Sequence, residues 1–144
     1  MSAIEKIQAK LAKYPTVHSA LEVDGAARTV TVLPIGPTGF AVSLAEHPKG
    51  WTVSYEGWHE EFDSEEEALD CFAFGLSAAC RLRVEYRGTT PVKWSLEVRS
   101  GGGWVEESTV GLLHPFFWRP RAIRHLQNEI LPADPRSEDY APAT

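Results

Sequence analysis

A two-residue alternation of apolar and polar side chains around the turn Gly88–Pro91 limits the possible folds of this chain most strongly. Seven apolar residues follow that period on the two sides of the turn: Leu82, Val84, Tyr86, Val92, Trp94, Leu96 and Val98. Successive side chains of a strand point to opposite faces of a sheet, so the period predicts a β-hairpin with one buried and one solvated face. The same period recurs between residues 21 and 62, where it predicts a meander of antiparallel strands.

Two helices are predicted from their first turns. Ser2 and Glu5 have the spacing of a capping box, in which each side chain bonds the backbone amide of the other residue. Ser64 is placed to cap a second helix, and the three glutamates after it suit the positive end of a helix dipole. The sequence leaves the end of this second helix open between Gly75 and about Ala79.

The segment after Pro120 predicts a third helix. Pro120 suits a first helical turn, and Ile123, Leu126 and Ile130 recur at helical spacing. Beyond this helix, residues 132–144 are rich in Pro, Asp, Ser, Glu and Ala, which is a composition typical of disordered segments. We therefore expect a disordered C-terminal tail after the last helix.

The predicted order of elements is α-βββ(β)-α-βββ-α. It predicts one α+β domain over residues 1–131, with a single antiparallel sheet of about six or seven strands and helices packed on one face. The absence of alternating β-α-β units argues against a parallel doubly wound sheet. In element order, over most of the chain, the sequence resembles the bacterial type III secretion chaperones, which are small and acidic. The resemblance implies a protein that binds another protein.

Charge is divided unevenly along the chain. Residues 1–72 carry 5 Lys and Arg against 12 Asp and Glu, whereas residues 73–144 carry 9 against 8, within a total of -6. From Glu56 to Asp70, eight acidic residues occur without a Lys or Arg. Such a surface repels phosphates and anionic lipids, so we expect neither nucleic acid nor a membrane as partner. A basic protein surface is the expected partner of this stretch.

The N-terminal residues predict a cytoplasmic protein. They contain no basic stretch that leads into an apolar run, and no window has the roughly 18 consecutive apolar residues of a membrane span. Cys71 and Cys80 suit a reducing compartment, because their spacing matches no common zinc or redox motif. We expect both cysteines to be buried small hydrophobic residues.

His59, Glu61 and Asp63 form a candidate metal site. On a strand these three side chains would share one face, and a metal would need a further ligand such as His47 or His114. The helical zinc motif H-E-x-x-H is not completed, because Asp63 replaces its second histidine. The alternative is a solvated strand face. A metal-dependent hydrolase that uses this row is therefore one hypothesis for function.

Two aromatic groups suggest binding surfaces. Trp58 and Trp104 flank predicted turns and could form the rim of a small-molecule cleft. A second group mixes aromatic residues with arginines, as protein interfaces do: Phe116, Phe117, Trp118, Arg119, Arg121 and Arg124. The alternative for this second group is that its aromatic residues simply cover one end of the core.

Motifs for covalent catalysis are absent from the sequence. It contains no nucleophile elbow, no glycine-rich phosphate loop and no cysteine beside an evident base. We therefore expect no cofactor and favour a non-enzymatic module that binds another protein or a second copy of itself. The contact would be a sheet edge or the segment Pro115–Leu131. The metal-dependent hydrolase and the small-molecule binder are the alternatives.

Overall fold

A computed structural model describes residues 2–112 and 118–128 of the chain. These residues form an α+β structure with antiparallel sheets, which confirms the predicted class. The helices among them are α1 (Ala3–Leu11), α2 (Pro15–His18) and α3 (Glu65–Gly75). Helices α1 and α3 begin where the capping residues predicted, whereas the single turn of α2 was not predicted.

The first sheet is a five-stranded meander in which each strand pairs with the next one along the chain. Its strands are β1 (Leu21–Asp24), β2 (Thr29–Val32), β3 (Val42–His47), β4 (Gly50–Tyr55) and β5 (Trp58–Phe62). Alternate residues of the three central strands are fully buried on one face: Val30, Val32, Val42, Leu44, Val53 and Tyr55. Helix α3 packs on β3, β4 and β5 and covers this apolar face.

The second sheet contains the predicted hairpin at its centre. Its strands are β6 (Cys80–Arg87), β7 (Thr90–Ser100), β8 (Gly103–Gly111) and β9 (Arg121–Leu126), in the spatial order β8-β7-β6-β9. All neighbouring strands are antiparallel. The inner face, which buries Leu82 and Val84, turns toward the first sheet, because Trp58 donates its indole N–H to the Ser108 hydroxyl of β8 at 2.8 Å.

The described strands form two sheets, and the prediction of a single sheet is corrected accordingly. Strand β6 pairs with β7 on one edge and with β9 on the other, so neither edge is open to the first sheet. A two-residue period specifies which face of a strand is buried. It is the same whether the strands share one sheet or lie in two, so the sequence pattern did not distinguish these arrangements.

The predicted third helix is wrong in its described part, because residues 121–126 form strand β9. Leu126 pairs with Leu82 and Ile123 pairs with Glu85 on β6. The spacing of three that suggested a helix places Ile123 and Leu126 on opposite faces of the strand. Hydrogen bonding to the backbone groups along β6 therefore outweighs the local helical pattern. Ile130 and the predicted tail, residues 132–144, lie outside the described residues.

Side-chain caps fix the first turns of both long helices. The Ser2 hydroxyl accepts from the Glu5 amide at 3.2 Å, and the Glu5 carboxylate accepts from the Ser2 amide at 2.9 Å, so the predicted capping box is confirmed. The Ser64 hydroxyl accepts from the amide of Glu67 at 3.3 Å at the start of α3. An ion pair between Lys6 and Glu65 joins the first turns of the two helices at 2.5 Å.

Two glycines allow close contacts between elements. A Cβ atom at Gly75 would overlap the ring of Tyr55, and one at Gly57 would overlap the indole of Trp94. Gly75 is the last residue of α3, which decides between the two ends that the sequence left open. The missing side chains let α3 lie directly on β4 and let the turn before β5 lie directly on β7.

Candidate functional site

The predicted metal row lies on the solvated side of β5. His59 and Glu61 are exposed and pair with hydroxyl residues of β4, and Asp63, just after the strand, is also exposed. Alternation along the strand places His59 and Glu61 on the same face, as the sequence suggested. His114, one of the two further ligands considered, lies outside the described residues.

A shallow hollow of about 490 Å³ adjoins this row and includes His47, Lys49, Glu61 and Asp63 in its lining. The Thr52 hydroxyl lies 2.8 Å from His47 Nε2 and donates to Glu61 Oε2 at 3.4 Å. A threonine hydroxyl therefore stands between the imidazole and the carboxylate. In the part of the chain that the structure describes, no group of three or more His, Cys, Asp or Glu side chains is placed to hold a metal ion.

The two cysteines lie in the core beside Tyr55. Burial raises the pKa of the Cys71 thiol to about 12, although the Tyr55 hydroxyl, 3.3 Å from Sγ, works in the other direction. Burial also raises the pKa of Cys80 above the usual range for a thiol. Since the thiolate is the nucleophile and the metal ligand, neither group is prepared for reaction at neutral pH.

The two tryptophans considered as a cleft rim lie on opposite faces of the second sheet. Trp58 is 1% exposed and bonds Ser108 on the inner face. Trp104 pairs with Arg99, whose side chain belongs to the outer face. The structure therefore does not bring these two indoles together at one pocket.

The predicted aromatic and arginine surface is only partly described. Phe116 and Phe117 lie outside the described residues. Trp118, Arg119, Arg121 and Arg124 are all exposed, Trp118 at 65%. Arg121 and Arg124 stand three residues apart on β9 and therefore point to opposite faces of the sheet. These two arginines do not form one surface.

The outer face of the second sheet collects charged residues from all four strands. We call it the cationic face, and its charged members are Arg81, Arg83, Arg87, Lys93, Arg99, Arg121, Glu85, Glu97 and Glu106. Cross-strand pairs bring them together, for instance Arg81 opposite Glu97 and Glu85 opposite Lys93. Six of the nine are cations, so the face is positive on a chain whose total charge is -6.

Glu97 is held between two basic side chains on this face. Its Oε1 accepts from Arg81 Nε at 2.6 Å and lies 3.9 Å from His125 Nε2. The carboxylate side chain is only 13% exposed. A planar guanidinium at this distance makes a strong charge-assisted bond, so Glu97 is fully engaged within the sheet.

Glu85 occupies a similar position toward the other end of the strands. Its carboxylate lies 3.2 Å from Arg121 and 3.7 Å from Arg87 and is 11% exposed. Burial works against its charge, but the hydrogen bond from Arg121 and the charges of Arg121, Arg87 and Lys93 hold the pKa of Glu85 below its ordinary value. Glu85 is therefore ionised at neutral pH and neutralises charge inside the face.

Trp104 is covered by two guanidinium groups. The Arg81 guanidinium carbon lies 4.5 Å from the centre of the indole ring, and that of Arg99 lies 5.1 Å from it. Both distances are within the range of cation–π attraction. Trp104 therefore orders two arginines on the face and is itself only half exposed.

Strand β8 forms one edge of this sheet. Among the described residues it pairs only with β7, through all of its nine residues except Glu107. Val105 on this strand is 53% exposed, and Leu112 just beyond it is 54% exposed. A register shift opposite Leu96 and Glu97 interrupts the pairing near Glu106.

Sequence reasoning did not identify the cationic face, although part of its signal was present. The hairpin alternates Arg81, Arg83 and Arg87 with apolar residues, and this pattern predicts only that the three arginines lie on the solvated face. Trp104 and Arg121 join the face through the pairing of β8 and β9, and neither pairing follows from the local pattern.

Comparisons with protein-family models, with curated proteins and with solved structures found no match for this chain. No helix in the described part of the chain is long and apolar enough to cross a membrane. The geometry of the two sheets is the basis for the proposal that follows.

Proposed function

We propose that the protein is a non-enzymatic module that binds another polypeptide by adding a strand at β8. The observation that supports this proposal is a nine-residue edge strand, Gly103–Gly111, paired on one side among the described residues. The partner is another protein, or a second copy of this chain in a homodimer. Exposed edge strands are templates for strand addition, in which backbone hydrogen bonds supply affinity.

The backbone of β8 presents hydrogen-bonding groups on its free side. Arg99 donates its amide to the Ala79 carbonyl toward β6, so at the paired residue Trp104 the amide points away from β7. Leu112 donates its amide to the Val92 carbonyl at 2.8 Å, so by alternation Gly111 and Thr109 also point outward. An added strand would meet these groups directly.

Apolar side chains accompany the free edge. Val105 and Leu112 stand at its two ends, each more than half exposed. Scattered exposed apolar residues are normal on a surface, but here two flank one unpaired edge. Glu106 and Glu107 between them carry the charge that edge strands use to prevent nonspecific pairing. This pattern favours a selective partner over open aggregation.

A proline substitution tests the proposal. Thr109→Pro removes an outward amide while keeping the β7–β8 pairing, since proline is tolerated on the solvent side of an edge strand. Thr109→Ala is the matched control, because it also loses the hydroxyl that donates to Ser95 at 3.0 Å but keeps the amide. We expect a protein captured from host lysate, or a self-association seen by sedimentation, with the wild type and Thr109→Ala but not with Thr109→Pro.

Two results would contradict the proposal. One is a monomer at all concentrations that captures no protein beyond background. The other is a partner retained equally by Thr109→Pro, because strand addition at β8 cannot survive the loss of this amide unchanged.

A further inference from the structure

Three cations of the cationic face have no carboxylate partner within ion-pair distance among the described residues: Arg83, Lys93 and Arg99. Arg83 is central, because it pairs across the sheet with Ser95 on β7 and with His125 on β9. It is half-buried, and its guanidinium group has no described carboxylate within ion-pair distance. Lys93 and Arg99 are exposed on either side of it along β7.

The carboxylates of the cationic face leave its excess of positive charge exposed to solvent. Glu85 and Glu97 are 11% and 13% exposed. Glu85 is shared by Arg87 and Arg121. Glu97 is bonded to Arg81, with the His125 imidazole beside it. Glu106, on the edge strand β8, is the exposed acid of the face. A ligand approaching the centre of the sheet therefore meets positive charge.

His125 gives a second indication of the local field. Burial and the charges of Arg81 and Arg83 lower the pKa of its imidazole, and the opposing charge of Glu97 does not restore it. The groups that face His125 come from β6 and β7, the strands beside it. The imidazole is therefore neutral at pH 7 and adds no charge to the face.

The class of anion is decided by the surroundings of the guanidinium groups. A planar guanidinium binds a carboxylate or a phosphate through two parallel hydrogen bonds. Binding of single-stranded nucleic acid requires aromatic platforms for the bases, and the indole of Trp104 is already covered by Arg81 and Arg99. The chain's total charge of -6 repels any polyanion that extends beyond this face, whether its charges are phosphates or carboxylates. A short row of carboxylates stays within the local excess of positive charge.

We propose that the cationic face binds an extended, carboxylate-rich polypeptide segment, with Arg83 as its central contact. This inference rests on the proposed function in one respect, since it takes the partner to be a polypeptide. It assigns a surface separate from the free edge of β8. A partner that adds a strand at β8 would bring its acidic residues onto the same sheet.

The test is fluorescence anisotropy with a labelled peptide of alternating Glu and Ser. We expect saturable binding that weakens as salt is added, because exposed charges are screened. Arg83→Gln should weaken binding about tenfold, since one charge-assisted contact is worth roughly that factor. Lys93→Gln tests the same surface at an exposed position, where folding is not at risk. Lys13→Gln, an exposed lysine after α1, is the control and should bind as the wild type does.

The outcomes separate this inference from its rivals. The inference is overturned if a Lys-Ser peptide binds equally well or an oligothymidine binds more tightly. It is also overturned if neither Arg83→Gln nor Lys93→Gln weakens binding of the acidic peptide. Thr109→Pro should leave peptide binding unchanged. Loss of capture by Thr109→Pro without any binding of the acidic peptide would keep the β8 proposal and reject this one.

Discussion

Asn128 forms with Phe40 the pair of hydrogen bonds that a neighbouring strand would form. The Phe40 amide donates to Asn128 Oδ1 at 3.1 Å, and Asn128 Nδ2 donates to the Phe40 carbonyl at 3.1 Å. The same Nδ2 donates to the Gly75 carbonyl at the end of α3, at 2.9 Å. Asn128 is 2% exposed, so this one buried side-chain amide supplies hydrogen-bond partners to backbone groups of the loop before β3 and of the end of α3.

Asn128→Ala should lower the free energy of unfolding by about 3 kcal/mol, because it leaves buried backbone groups of Phe40 and Gly75 without partners. Urea unfolding followed by tryptophan fluorescence measures the loss. Gln127→Ala is the control and should cost about 1 kcal/mol, since it removes a single half-buried bond to the Ala78 carbonyl. Equal losses for the two variants would contradict the role assigned to Asn128.

Gly75→Ala should destabilise the protein by about 1–3 kcal/mol, even though alanine favours a helix over glycine by up to about 1 kcal/mol. The added Cβ would overlap the Tyr55 ring, whose hydroxyl is held by the Cys71 carbonyl. Thermal unfolding checks the prediction. Gly25→Ala, where the added atom meets open space, should change stability little, and the same loss there would count against the steric explanation.

Ser108→Ala should cost about 1–3 kcal/mol, because it leaves the buried indole N–H of Trp58 without its acceptor between the two sheets. Chemical denaturation of the variant gives the value. Ser43→Ala on the outer face of the first sheet removes the same atom from a half-exposed strand position and should stay within about 0.5 kcal/mol. A neutral Ser108→Ala would show that the indole finds another acceptor.

Glu85 should contribute stability that depends on pH. Its pKa in the folded protein lies below the ordinary 4.5, so the unfolded chain takes up its proton first as the pH falls. The contribution is fully present above pH 4.5 and is lost as the pH falls from there through the folded-state pKa. The difference in unfolding free energy between the wild type and Glu85→Gln should therefore shrink below pH 4.5. A difference that stays constant down to strong acid would contradict this.

Local patterns in the sequence predicted the elements that local physics determines. The capping box at Ser2 and the alternation in the hairpin specify their structures within a few residues, and both are present. The meander before Phe62 follows for the same reason, since turn residues separate short alternating runs. The α+β class with antiparallel pairing could therefore be predicted.

Elements that depend on distant contacts could not be predicted in the same way. Residues 121–126 carry a helical spacing, and only their pairing with β6 makes them a strand. The cationic face likewise needs β8 and β9 beside the hairpin before Trp104 and Arg121 meet Arg81 and Glu85. The predicted metal row illustrates both cases. Its strand follows from the local pattern, whereas its further ligands depend on contacts with distant parts of the chain, which the local pattern does not specify.

The position of Asn128 also bears on the order of folding in the cell. A ribosome releases the chain from its N-terminus, so the first sheet and α3 emerge well before the residue that completes their hydrogen bonding. Until then the Phe40 amide and carbonyl have water as their partner, and the loop before β3 cannot close over a dry core. Nascent chains that end before residue 128 should therefore contain every strand of the first sheet but lack the hydrogen bonds that Asn128 forms with the loop before β3.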